Sequence, residues 1–221
     1  MSSVIDLKEL ELPLDVLSED GKEYVVDIWT PKIQDLESLW EQYNKYPLLF
    51  SDTNLGNKLY LFGILLHPNT LVLSIKHDSV PVGIAYADNI RPKGSANAHY
   101  FFWDKKTSGR QRVILTALDW AMRQMELHRM NIVVPMFAYS ALHRIYKMGF
   151  RLEGRMRENF LSRGKWIDAL LFGVLHHELT PEAIESGRVS RTPFEQEWFD
   201  LLKNDDALAQ HIVNRRERNG D

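Results

Sequence analysis

The apolar positions of this chain change period several times, and each change marks an element. Residues 24–29 alternate and are rich in Val and Ile, the pattern of a half-buried strand. Thr30-Pro31 then predicts a helix start, because Thr caps well and Pro is favoured in a first turn. Ile33, Leu36, Leu39, Trp40 and Tyr43 follow on one helical face. A second helical pattern covers residues 55–66 and closes at His67-Pro68-Asn69. Strands are predicted over residues 70–76, 82–87 and 96–103, with turns at His77-Asp78-Ser79 and Arg91-Pro92-Lys93-Gly94.

Helical spacing returns at residues 113–125, where Ile114, Leu115, Leu118 and Met122 share a face. A short buried strand over 131–136 comes next. Ser140 caps a brief helix over 141–148 that Gly149 terminates. Strands over 150–157 and 166–176 close the pattern, joined around Ser162-Arg163-Gly164-Lys165. Short connections need antiparallel neighbours, whereas the strand–helix–strand stretch from 96 to 136 implies a parallel pair. The expected fold is therefore α/β, with a mixed, mostly antiparallel sheet and helices on both faces.

Two end segments flank this body. Residues 1–22 are irregular and end in the turn cluster Ser18-Glu19-Asp20-Gly21, so they are expected as an arm on the domain surface. Residues 180–221 form a C-terminal extension. Phe194, Trp198, Leu201, Leu202, Leu208 and Ile212 stand there at roughly helical spacing, which suits docking on the domain itself or on a second copy or protein partner. The body between them, residues 23–179, is one domain.

Composition narrows the function classes. The 221 residues are 44% hydrophobic and 26% charged, which is enough for a sizeable core. There is no cysteine, so disulfides, thiolate nucleophiles and thiolate metal sites are excluded. A net charge of -3 with only local basic clusters argues against a nucleic-acid partner. Phe101-Phe102-Trp103 reads as alternate core packing, not as a base-stacking platform. No apolar run approaches the roughly 20 residues of a membrane span, and the acidic N-terminus is unlike a signal peptide. A cytoplasmic protein is expected. His176-His177-Glu178 offers no metal site, because neighbours on a strand point to opposite faces.

One stretch carries a specific resemblance. Residues 139–178 read YSALHRIYKMGFRLEGRMRENFLSRGKWIDALLFGVLHHE. Tyr146, Gly149-Phe150, Glu153-Gly154, Arg157, Gly164 and Asp168 leading into an apolar strand resemble, in this order, the GNAT superfamily of N-acetyltransferases. The branch that acetylates ribosomal-protein N-termini and polyamines is the most similar. The resemblance covers about residues 24–179 and implies acetyl-CoA as cosubstrate and a primary amine as acceptor, which the sequence does not specify.

The resemblance also implies a site. The family's cofactor loop opens the helix after a splayed central strand, where backbone N–H groups and the helix dipole receive a pyrophosphate. Lys106, Ser108, Gly109, Arg110, Gln111 and Arg112 occupy that place, after Phe102 and Trp103 at the strand's end. Gln111 stands where the family has Gly or Ala, and Tyr139 where it often has an Asn that contacts the pantetheine arm. Tyr146 matches the tyrosine that protonates the leaving sulfur. The family often places a Glu base on the splayed strand. Here residues 97–103 hold no carboxylate, and His99 is the group that titrates near neutrality. These departures motivate an alternative in which a GNAT-type fold serves as a binding component of a larger assembly.

Overall fold

The computed structural model describes residues 12–18, 20–45, 57–103, 110–162 and 164–189. The alternating segments become strands β1 (Leu14–Leu17), β2 (Glu23–Ile28), β3 (Leu71–His77), β4 (Val80–Asp88), β5 (Ser95–Phe102), β6 (Arg129–Pro135), β7 (Arg151–Ser162) and β8 (Lys165–Leu175). They form a single sheet in the order β1-β2-β3-β4-β5-β6-β8-β7. Every neighbouring pair is antiparallel except β5–β6. The helices are α1 (Ile33–Asn44), α2 (Lys58–Leu65), α3 (Arg110–Gln124), α4 (Tyr139–Met148) and α5 (Pro181–Ser186). Since parallel neighbours need a long crossover, α3 lies between β5 and β6 in the chain.

Alternation along the strands splits the core in two. Val26, Leu73, Ala98, Met130 and Phe172 pack with residues of α3 and α4 on one face. Val72, Ile84, Tyr86 and Phe101 pack with Leu36, Leu39 and Tyr43 of α1 and with Leu61, Phe62 and Leu65 of α2 on the other. Helices thus cover both faces, as the periodicity predicts. Among the described residues no helix is long and apolar enough to cross a membrane.

Several boundaries differ from expectation for local reasons. Thr30-Pro31 does not open α1; the helix starts at Ile33, where the Asp35 carboxylate accepts the Lys32 N–H at 2.9 Å. Ile33 is consequently at the overhanging first turn and 69% exposed. Thr30 and Pro31 instead line, with Trp29, Leu66 and His67, a cavity of about 280 Å³ between the β2–α1 and α2–β3 connections. Part of the expected N-terminal arm is built into the sheet: β1 pairs with β2 and buries Val16.

At the other end Thr180 does cap a helix, its Oγ1 accepting the Ala183 N–H at 3.2 Å, and Gly187 at φ 67° ends α5 after one and a half turns. The helical pattern of residues 194–213 lies outside the described residues.

β7 also runs five residues past its expected end. A register shift between Met156 and Phe160 hides its second half from period-2 reading. Glu158 sits there at φ 50°. Its N–H donates to Asp168 Oδ1 at 2.8 Å, and Arg155 Nε donates to Oδ2 at 2.5 Å. The Glu158 N–H and then the Arg155 guanidinium hold the Asp168 carboxyl below its usual range.

Candidate functional site

β5 and β6 share register at only three positions, Ser95 with Arg129, Ala96 with Met130 and Asn97 with Asn131. β5 continues to Phe102 and β6 to Pro135, so the strands part in a V rooted at Asn97 and Asn131. The Trp103 N–H donates to the Val82 carbonyl at 3.1 Å, and β4 and β5 keep one register from Gly83–Phe102 to Asp88–Asn97. Alternate residues of an antiparallel strand turn their backbone groups the same way. Ala98, Tyr100 and Phe102 therefore aim theirs at the split, and Tyr100 and Phe102 lie beyond its root.

The mouth of the split brings predicted residues together. Phe102 is buried, and the Arg110 guanidinium carbon sits 5.0 Å from its ring centroid. Arg110 opens α3 and is itself only 7% exposed. Gly83 makes room for this arrangement: a Cβ there would stand 2.8 Å from both the Phe102 ring and the Phe101 carbonyl oxygen. Gln111 follows Arg110 in the first turn and is half-buried. Trp103 turns away, its indole N–H donating to the Pro81 carbonyl at 3.0 Å.

Arg112 donates to the Glu185 carbonyl through Nε at 3.0 Å and to the Leu17 carbonyl through Nη1 at 3.0 Å, tying α3 to α5 and β1. Lys106, Ser108 and Gly109 lie outside the described residues. Tyr139 opens α4 and Tyr146 lies within it; their side chains are outside what the structure describes.

At the root of the split, the α1/α2 face carries a compact polar group. His99 Nε2 lies 3.2 Å from Asp88 Oδ2, at ion-pair distance but off the axis of a well-aligned hydrogen bond. Asn97 Nδ2 donates to the other oxygen, Asp88 Oδ1, at 3.1 Å. The His99 ring stacks on Tyr86 at 4.4 Å and 7°. Burial pushes the Asp88 carboxyl up, but the adjacent His99 imidazole and the Asn97 amide outweigh it, and the group stays below its usual value. Burial raises the Tyr43 phenol well above its ordinary range, against a hydrogen bond with Tyr86.

Tyr100 points to the opposite face, with the residues under α3 and α4. Among the described residues its hydroxyl is buried without a hydrogen-bond partner, and burial pushes its pKa up to about 12 against the opposing charge of Arg144.

Sequence reasoning reached His99 by residue type and Phe102 and Arg110 by the loop match. It missed Gly83, Tyr100 and Asn97. The register that sets Asp88 opposite Asn97 is invisible until β4 and β5 pair.

Searched by sequence, the chain matches no protein-family model and no curated protein. Its fold is shared with solved acetyltransferases. Mycobacterium smegmatis RimJ, in complex with CoA-disulfide, aligns at a TM-score of 0.57 and 21% identity over 73% of this chain and 87% of that one. Vibrio cholerae spermidine N-acetyltransferase, in complex with CoA and spermine, aligns at 0.57 and 19% identity over 70% and 97%. A point mutant of that enzyme aligns at 0.58 and 16% identity over 72% and 98%. Identities this low establish the fold, which is the GNAT type that the sequence resemblance implies.

Proposed function

We propose that this chain is an N-acyltransferase that moves an acetyl group from acetyl-CoA to a primary amine. The observation that carries the reading is the parted β5–β6 pair. Backbone groups of Tyr100 and Phe102 face the gap with no strand to pair them, and unpaired backbone at a buried place calls for a partner. The start of α3 lies at the mouth, where the helix dipole and its first N–H groups favour an anion. An extended, amide-bearing arm ending in a diphosphate fits both features. The complexes of the similar folds lend support, since one holds CoA-disulfide and the other CoA with spermine.

Bound in the gap, acetyl-CoA supplies an acyl carbon activated as a thioester. The chain's residues then have separate roles. The Tyr100 and Phe102 N–H groups are placed to donate toward a carbonyl oxygen held against β5, as an oxyanion hole does. Arg110 and Phe102 shape the mouth beside the diphosphate end. Tyr146 is the proton donor to the departing sulfur, being a phenol that stays protonated at neutral pH. His99, on the α1/α2 face at the root, takes the proton of the incoming amine. Residues 23–179 suffice for this chemistry, and the end segments serve packing or partners.

Calorimetric titration of acetyl-CoA into the purified protein is the test, followed by transfer to a panel of primary amines that includes spermine. Micromolar binding and turnover are expected, with Tyr146→Phe lowering kcat about a hundredfold at unchanged affinity. Absence of acetyl-CoA binding would sink the reading and leave the fold as a binding component.

A further inference from the structure

Three groups in the molecule invite a role beyond those assigned so far. The cavity between the β2–α1 and α2–β3 connections is mostly apolar, and its rim histidine is already used, His67 Nδ1 accepting the Asn69 N–H at 3.1 Å. The Asp119 carboxylate is buried and shared between Arg123 and His176, which makes it a cross-link from α3 to the turn after β8. The third group is the set around His99, and it carries an inference.

We propose that Asp88 is a positioning residue that fixes the working tautomer of His99. The inference rests on the acyltransferase reading and assigns the regulation of its base. The geometry supports it in three steps. Asp88 Oδ2 approaches Nε2 at 3.2 Å and not Nδ1; although the contact is off the axis of a hydrogen bond, the carboxylate charge favours the neutral tautomer with its proton on Nε2 and the lone pair on Nδ1. Asn97 grips the other carboxylate oxygen at 3.1 Å, which stops Asp88 rotating away. Tyr86, stacked at 4.4 Å, fixes the plane of the ring. With 31% of its side chain exposed, His99 remains open to a substrate while its Nε2 edge is buried.

The proton accounting closes on these groups. His99 Nδ1 accepts the proton released as the amine nitrogen bonds to the acyl carbon. The imidazolium so formed bears one positive charge, which the Asp88 carboxylate faces. Tyr146 gives its proton to the sulfur as the carbon–sulfur bond breaks, and solvent returns a proton from His99 to Tyr146 over the cycle. No oxidant, reductant or further reactant is needed.

The neighbourhood holds few competing charges. From β4 the groups facing His99 are Tyr86 and Asp88, and from β5 Asn97. From α1 Tyr43 reaches Tyr86 and stays neutral. On β6 Asn131 lies opposite Asn97, with Arg129 Nε donating to it at 2.9 Å. Arg129 is itself paired with Glu153 of β7. Asp88 is thus the one anion in direct contact with the ring among the described residues.

Three measurements on the full chain test this. Acetyl-CoA calorimetry comes first: absence of binding by the unaltered protein removes the acyltransferase reading and this inference with it. Nitrogen-15 imidazole spectra then read the tautomer. The Nε2–H form is expected to predominate, and Asp88→Asn should mix the tautomers. Kinetics with acetyl-CoA and an accepted amine such as spermine complete the set. Asp88→Asn should lower kcat about tenfold to a hundredfold and leave KM within about twofold. Asp88→Glu should recover part of the rate. An unchanged tautomer balance in Asp88→Asn overturns the proposal even where acetyl-CoA binds. So does a fall in kcat that Asp88→Glu does not recover in part, which marks a structural role.

Discussion

Two antiparallel hairpins lie on opposite sides of the split, β4–β5 at its edge and β7–β8 beyond β6, and each holds a depressed carboxylate. In β7–β8, Asp168 binds a backbone N–H and an arginine, partners whose charge and protonation do not change near neutral pH. In β4–β5, Asp88 accepts from an asparagine and faces a histidine at 3.2 Å, a side chain able to carry a proton. The first acid sets the shape of a strand; the second is tied to a proton. The hairpins differ in the same way in how fully their polar groups are satisfied. β4–β5 carries an off-axis His99 contact and an orphan Tyr100 hydroxyl, and unsatisfied buried polar groups mark places where a structure expects a ligand or holds strain.

The largest effect on this comparison comes from Gly83→Val. The Cβ would meet the Phe101 carbonyl oxygen and the Phe102 ring at 2.8 Å, and one contact is backbone that cannot turn aside. The β4–β5 pair must shift at a cost of about 3 kcal/mol, and acetyl-CoA affinity should fall with it because Phe102 borders the split. Thermal melting and calorimetry read the two losses. A variant as stable as the parent would mean that the hairpin tolerates movement at the mouth, and the rigid view of β4–β5 would go.

Asp168→Ala comes next and acts on the other hairpin. It removes the acceptor of the Glu158 N–H and of Arg155, a loss of about 2 kcal/mol for charge-assisted bonds. At this chain length that lowers Tm by about 4–8 °C. Because its folded pKa is depressed, Asp168 contributes stability above its unfolded pKa, and that stability is lost as pH falls through the folded value. The variant should therefore show a flatter acid limb in a plot of Tm against pH. It should keep its kcat, whereas Asp88→Asn should lose kcat. A large kcat loss in Asp168→Ala would erase the distinction between a shaping and a proton-linked acid.

The two hairpins were unequally legible in the sequence, for physical reasons. The turn at Asp78-Ser79, the apolar face of α3 and the Gly149 stop were readable because each depends on neighbours in the chain. β1 was not, since four residues make a strand only once β2 offers an edge. The second half of β7 was hidden because its bulge breaks the two-residue period, and the bulge is held by Asp168, ten residues on from Glu158. The partners of Arg112, Leu17 and Glu185, were not legible because they are remote in the chain. His99 was legible by type alone. Its support from Asp88 and Asn97 exists only in the β4–β5 register.

The smallest expected effect has the opposite sign. Tyr100 places a phenol hydroxyl in the core with no partner among the described residues, and burial drives its pKa up to about 12. Desolvating such a group without a hydrogen bond costs on the order of 1 kcal/mol or more. Tyr100→Phe keeps the ring, and with it the packing under α3 and α4, while deleting the orphan oxygen. The variant should be more stable by about 1 kcal/mol, a rise in Tm of about 2–4 °C. β7 and β8 hold no tyrosine, so the gain belongs to the split. A fall in Tm would show that the hydroxyl is satisfied in solution by a bound water. In that case β4–β5 is as well saturated as β7–β8, and the contrast between the hairpins rests on Asp88 and His99 alone.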